Sequence, residues 1–428
     1  MPKNDKKVIN GWAIYDWANS TYYLVIATAI FPVYFISVTR SDIRLFGDFS
    51  VSNSSLYSYV VSLSYLIIAI LSPFLSGIAD FGGKRMFFLK FFTTMGAIAC
   101  AGMFLFTGDA TLWLGTGLFA IATIGAAGGQ VFYNAYLPEI VTPDQYDRVS
   151  AKGYALGYIG SVLLLLLILF ISQKPQWFGM PEFSNLPYRL GFVFVGIWWL
   201  GFSQITFNRL PKGQKGAITR SMILKGFQEI VLVFNRLRQS KNLSLFLFSM
   251  LFYSAGVQTV IYLASVFARE ELKFETTELI IVILLLQIIA IFGAYIFAWV
   301  SRWMGNKRTL LLQILIWIVI TVLAFLVESK TQFYLIAGLV GLVMGGIQSL
   351  SRSTYSKLVD DHPEDLTSYF SFYEIVIKVS IILGTFLFGL VNHIFGGLRM
   401  SVLSLSFLFI TGFVLLLFVR VARRKSVD

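Results

Sequence analysis

Apolar blocks recur along the whole chain, separated by short polar stretches. They predict spans near Trp12–Val38, Leu56–Ala79, Met86–Phe106, Leu112–Leu137, Tyr154–Ile171 and Tyr188–Phe207. A second set follows near Leu243–Phe267, Thr277–Val300, Leu310–Val327, Phe333–Leu350, Ser371–Val391 and Ser401–Val419. Each block is close to the roughly 20 residues a helix needs to cross a bilayer. A transmembrane barrel would show short alternating segments instead. The pattern therefore predicts an all-α membrane protein of twelve transmembrane helices in two six-helix halves, residues 1–207 and 243–428.

The halves are joined by the longest polar interruption, residues 208–242. It carries Arg209, Lys212, Lys215, Arg220, Lys225, Arg236, Arg238 and Lys241 against one acid, Glu229. Such a run in a soluble protein suggests nucleic acid; between two membrane halves it reads as a cytoplasmic linker. Within it, Met222, Ile223, Phe227, Ile230, Val231 and Phe234 recur at helical spacing. That spacing predicts an amphipathic helix over Ile218–Phe234, lying on the inner leaflet.

Composition agrees with a lipid solvent. The chain is 57% hydrophobic with 41 Phe, and 13% charged, against about 25% charged in an ordinary soluble domain. One cysteine, Cys100, excludes an internal disulfide, and two histidines, His362 and His393, exclude a histidine-rich metal centre. No metal or cofactor is expected. The first apolar block carries Asp16 and Asn19 and is too long for a cleavable signal, so it reads as a permanent helix. Lys and Arg in the tails, the linker and the loops after the second, fourth, eighth and tenth spans outnumber those on the other side threefold. This bias predicts that both termini are cytoplasmic.

The halves echo each other. Gly82-Gly83-Lys84-Arg85 follows the second span, and Gly305-Asn306-Lys307-Arg308 follows the eighth. Gly128-Gly129-Gln130 in the fourth span matches Gly345-Gly346-Ile347-Gln348 in the tenth. Duplicated halves are the layout in which one half rocks against the other around a central site.

Charges at membrane depth are costly and mark candidate function. Asp16 is one, with Asn19 a turn away and the hydroxyls of Tyr15 and Tyr22 nearby; it can carry a proton, bind a substrate amine or cap a helix at the cytoplasmic mouth. Glu374 and Lys378 are four apart and share a helix face, as a structural ion pair or as a coupling pair that parts when substrate or proton arrives. The amides and phenol of Gln130, Tyr133, Asn134, Gln258 and Gln348 suit a zwitterion or polyol, whereas Gln287 is expected to bond a neighbouring helix. Glu139 and Arg352 fall near the cytoplasmic ends of the matched spans and read as gate or loop-anchoring residues. Gly153-x-x-x-Gly157 is a close-packing signal. No nucleotide-binding, metalloprotease or serine-hydrolase pattern is present, so no catalytic residue is expected and the protein does not read as an enzyme. Uphill transport would then draw on an ion gradient, with protons the candidate ion, or on an exchanged solute.

Ser76-Gly77-Ile78-Ala79-Asp80-Phe81-Gly82-Gly83-Lys84-Arg85 resembles the signature of the major facilitator superfamily, Gly-x-Leu-Ala-Asp-Arg-x-Gly-Arg-Arg. Asp80, Gly83, Lys84 and Arg85 match; Ser76 replaces the first glycine and Phe81 the arginine. The resemblance implies the major facilitator fold, and for Asp80 a cytoplasmic latch, with Lys84 and Arg85 beside it, that steadies the outward-facing state. Tyr15-Asp16-Trp17-Ala18-Asn19-Ser20, Gly153-Tyr154-Ala155-Leu156-Gly157-Tyr158 and Gln348-Ser349-Leu350-Ser351-Arg352-Ser353 resemble the bacterial branch related to the fungal vacuolar amino-acid effluxers. That likeness implies an exporter of amino acids or similar small zwitterions. The reading of the whole chain is a secondary transporter of an amino acid or short peptide, monomeric, in the bacterial cytoplasmic (inner) membrane, with membrane lipid and no nucleic acid as partners. Rival readings are a sugar, nucleoside or drug carrier of the same fold, and a non-transporting membrane sensor or scaffold.

Overall fold

The computed structural model describes residues 2–46, 49–181, 185–213, 219–360, 362–395 and 397–421. Among them are twelve helices long and apolar enough to cross a membrane. The first half holds α1 (Lys6–Val38), α2 (Asn53–Gly82), α3 (Arg85–Gly102), α4 (Leu112–Asn134), α5 (Tyr146–Gln173) and α6 (Leu186–Arg209). After the linker helix α7 (Arg220–Gln239) come α8 (Lys241–Leu272), α9 (Thr276–Met304) and α10 (Asn306–Leu326). The chain closes with α11 (Lys330–Leu358), α12 (Leu366–Phe395) and α13 (Leu398–Phe418). A small antiparallel hairpin, β1 (Asp42–Phe46) and β2 (Phe49–Ser52), bridges α1 and α2.

Local signals set the helix ends. Asp5 caps α1 by accepting from the Lys7 and Val8 amides at 2.7 and 3.4 Å, satisfying donors that a first turn leaves open. Gly83 adopts φ 59°, ending α2 with its N–H on Ala79 and Asp80. A side chain would resist that left-handed conformation, and the tight turn lets α3 start two residues on. The fifth span begins at Tyr146, two turns earlier than hydropathy predicts, because its first turns are polar but still wound as helix.

Helix α1 is not uniform. Tyr22–Ile30 is wound as a π-helix, and the Phe31 amide bonds the Ile26 carbonyl five residues back. Runs of this kind are rare and collect at functional sites; here Tyr23, Leu24 and Thr28 reach the wall of the central cavity.

Each half has its own apolar core. The halves meet where α5 packs on α9 and α11, and where α12 packs on α2 and α4. Exchanging the halves exchanges these contacts, since the fifth span of each half packs on the second and fourth spans of the other. At the α5–α9 seam Ala151 packs on Ala294 and Ala298, small side chains that bring the backbones close. Large apolar side chains such as Phe91, Ile98, Phe292, Leu335 and Phe386 lie exposed on the outer face of the bundle. That surface suits lipid and not water; the chain is an integral membrane protein.

The linker helix is amphipathic. Of the stripe expected to face the inner leaflet, Ile230 is buried against protein, while Val231 and Phe234 are exposed; Val233 and Leu237 are buried on the same side as Ile230. The helix lies along α2, where Gly226 and Gly77 meet backbone to backbone: a Cβ on Gly77 would sit 2.9 Å from the Gly226 carbonyl carbon. Arg236 pairs with Asp365 just before α12, and the Phe234 and Phe372 rings are 6.0 Å apart. Lys215 and Ile218 lie outside the described residues, as do the side chains of Met222, Ile223 and Phe227.

Candidate functional site

A cavity of about 320 Å³ lies between the halves, walled on one side by α1, α2, α4 and α5 and on the other by α8 to α13. It extends to Phe333 and Phe388, near the end of the bundle opposite the termini. Asp16, Glu374 and Lys378 lie in its floor, each in a buried ion pair; Arg352 stands behind Asp16.

The first pair joins the halves. Arg352 on α11 donates from Nη1 to Asp16 Oδ2 on α1 at 3.1 Å. Arg352 is 0% exposed and Asp16 3%. Tyr133 donates its hydroxyl to the same carboxylate oxygen at 2.8 Å. The rest of the guanidinium is also engaged: Nε donates to Ser150 Oγ at 2.9 Å, Nη2 to the Ser150 carbonyl at 2.9 Å, and Nη1 to Asn134 Oδ1 at 3.2 Å. Its carbon centre lies 4.2 Å from the Tyr154 ring centroid and 4.8 Å from that of Trp12, in reach of cation–π attraction.

The close approach of α1 and α5 depends on glycine. A Cβ at Gly153 would lie 2.9 Å from Arg352 Nη2 and inside contact distance of Asp16 Oδ2. One at Gly157 would reach 3.1 Å from Ser20 Cβ, and one at Gly160 would reach 2.6 Å from the Trp17 carbonyl. The close-packing signal in the sequence thus extends to a third glycine.

The second pair is Glu374 and Lys378 on α12, 2.9 Å apart. Both line the cavity. Asn134 links the two pairs: its Nδ2 donates to Glu374 Oε1 at 2.9 Å while its Oδ1 accepts from Arg352. Gln130 donates to the same Oδ1 at 3.4 Å and accepts from Asn19 at 3.0 Å. Desolvation offsets most of the attraction within a buried ion pair, so such pairs hold a fold no better than apolar side chains of similar volume. Of the two, Arg352–Asp16 crosses between the halves, whereas Glu374–Lys378 lies within α12.

The candidate residues thus fall into distinct roles. Asp16, Gln130, Gln258, Gln348, Glu374 and Lys378 line the cavity. Tyr133 and Asn134 sit behind it and bond Asp16 and Glu374, while Asn19 bonds Gln130. Tyr15 and Tyr22 are fully buried on Thr93 and Thr123, away from the cavity wall. Gln287 departs from expectation. It lines the cavity, and its buried Oε1 accepts no hydrogen bond among the described residues. Sequence reasoning passed over the tyrosines of the wall, including Tyr23, Tyr65, Tyr154, Tyr158 and Tyr262. A run of tyrosines at membrane depth, away from either interface, was the signal.

Two polar latches close the terminus-bearing end. Asp80 accepts from the Thr367 and Ser368 amides at 3.1 and 2.7 Å, at the N-terminus of α12, and from Arg85 at 3.2 Å. Arg85 also pairs with Glu139 and donates to Thr367 Oγ1 at 2.7 Å. Lys84 is buried beside them. The other latch was not foreseen. Asp147, in the first turn of α5, accepts from Ser301 at 2.9 Å, Asn306 at 2.7 Å and Lys357 at 2.8 Å. The chemistry is inverted between the two: in one the turn after a second span supplies the carboxylate, in the other it supplies the donor. Among the described residues, the hydrogen bonds joining the halves run from mid-bundle to this end, and no metal-binding cluster occurs.

A family model described as "Vacuole effluxer Atg22 like" matches residues 4–427. The chain belongs to the Atg22-like vacuole effluxer family. It is 30% identical over 420 residues to the uncharacterized MFS-type transporter YxiO of Bacillus subtilis, covering 98% of this chain and 96% of that one. Autophagy-related protein 22 of Saccharomyces cerevisiae is 24% identical over 479 residues, covering 93% and 89%. Among solved structures, the Escherichia coli fucose:proton symporter FucP superposes with a TM-score of 0.69 at 14% identity, over 96% and 97% of the two chains. A bacterial homologue of the iron transporter ferroportin, in an outward-facing state, superposes with a TM-score of 0.67 at 12% identity, over 97% and 100%. The fold is that of the major facilitator transporters.

Proposed function

We propose that the protein is a secondary active transporter moving a small zwitterion, an amino acid or short peptide, by alternating access. The observation that carries this reading is the Glu374–Lys378 pair on the cavity wall, which offers one anion and one cation side by side beneath apolar and aromatic surface. A zwitterion satisfies both charges at once, which fits a site of few convergent polar groups in an apolar pocket. A neutral sugar or nucleoside would leave both charges to each other.

With the termini in the cytoplasm, as the Lys and Arg bias indicates, the two latches seal the cytoplasmic end and the cavity faces outward. Proton coupling is assigned to Asp16 or to the Glu374–Lys378 pair, because protonating either carboxylate frees its cation and loosens the floor. The membrane is then the bacterial cytoplasmic membrane and the working unit the monomer. Thermal stabilisation of the purified protein across an amino-acid and peptide library at two pH values tests the reading. A pH-dependent hit among the zwitterions is the expected result; silence across the library with folded protein would remove its basis.

A further inference from the structure

The two floor pairs differ in how firmly their cations are held. Arg352 is wholly buried and bonds Asp16, Asn134 and Ser150 with the rigid fork of its guanidinium. Lys378 is a flexible stem ending in a point charge. It is 9% exposed, lines the cavity, and makes one hydrogen bond among those described, to Glu374 Oε2. Its ammonium also lies 5.4 Å from the centroid of the Tyr65 ring. A carboxylate on one side and an aromatic face on the other is the chemistry that selects an ammonium. The subsite is built, and the chain's own lysine occupies it.

Resting on the zwitterion reading, we infer that Lys378 is a tethered stand-in for the substrate's ammonium group. The arriving zwitterion gives its ammonium to Glu374 and Tyr65, and the displaced Lys378 takes its carboxylate. The exchange is charge-neutral, since a neutral pair meets a neutral zwitterion and each charge ends with a partner. A ligand with only an amine strands Lys378, and one with only a carboxylate strands Glu374; each leaves an uncompensated charge in the floor, which is strongly unfavourable. The internal pair thus sets specificity by rejecting singly charged analogues. Glu374 is well placed to accept, because Asn134 engages its other oxygen and fixes the carboxylate's orientation.

The test uses the full-length purified protein and three probes that share one apolar group: L-leucine, isoamylamine without the carboxylate, and 4-methylpentanoate without the amine. Wild type is expected to be stabilised thermally by L-leucine alone. Lys378→Met, with Lys378→Gln as a second variant should the first fold poorly, is expected to gain a response to isoamylamine and to bind L-leucine at least tenfold more weakly. Glu374→Gln is expected to show the reverse, gaining 4-methylpentanoate and ignoring isoamylamine. Folded variants keeping the wild-type preference overturn the inference while leaving the zwitterion reading in place; wild type responding equally to isoamylamine overturns both. A gain of isoamylamine in Lys378→Met with no L-leucine response in wild type upholds the ammonium subsite and removes the amino-acid reading. No response in any of the proteins overturns both.

Discussion

Arg352 and Asp16 are 336 residues apart in the chain and meet at 3.1 Å in the centre of the bundle, where Gly153 leaves them just enough room. The contact ties α11 of one half to α1 of the other. It also places a cavity-lining carboxylate against a fully buried cation, so any change of charge at Asp16 is felt at the interface between the halves.

Gly153→Ala should wedge this pair apart. The added methyl meets Asp16 and Arg352 rather than a yielding apolar chain end, and overpacking of this kind costs about 1–3 kcal/mol. Thermal unfolding of the purified variant should show a lowered midpoint. Gly117→Ala is the control, because nothing lies within 4 Å of its added Cβ; there the change should be neutral or slightly stabilising.

The Asp147 latch should set how long the terminus-bearing end stays shut. Asp147→Asn removes the charge that holds Lys357 and weakens the bonds from Ser301 and Asn306. Spin labels at Arg148→Cys and Arg302→Cys, both exposed beside the α5–α9 seam, in a Cys100→Ser background, report the separation. The variant should shift the distance distribution toward longer values. An unchanged distribution would mean that the Asp80 latch holds this end alone.

Gly77→Val should loosen the linker helix from α2, since its side chain would occupy the position of the Gly226 backbone. Trypsin should then cut at Lys225 and Arg238 faster than in wild type. Equal cleavage rates would show that the helix is held mainly by its Arg236–Asp365 pair.

Much of this architecture is written in hydropathy, because every lipid-facing turn must be apolar over the same length. The signature around Asp80 likewise marks its latch, since a tight glycine turn and flanking charges are local features. What could not be read was which faces meet. Arg352 stood near the end of a span and resembled a loop anchor; only the packing of α5 between α1 and α11 shows that it is buried on Asp16. Hydropathy starts the fifth span at Tyr154, which leaves Asp147 in an apparent loop, whereas the helix begins at Tyr146. The stripe on α7 is legible, but its period does not tell that Ile230 is buried on protein while Val231 and Phe234 stay exposed. The π-helical turns of α1 change backbone bonding without changing composition, so hydropathy carries no trace of them.

Flux tests most directly whether the protein carries a zwitterion across the membrane under control of Asp16. Uptake of labelled L-leucine and of a labelled dipeptide into proteoliposomes, with and without an imposed pH gradient, compares wild type with Asp16→Asn. Saturable uptake above empty liposomes is predicted for wild type, with loss or uncoupling from the gradient in Asp16→Asn, which keeps its volume and stays folded. Wild-type flux in Asp16→Asn at every pH would contradict the role of Asp16, and no uptake by folded wild type would contradict the account as a whole.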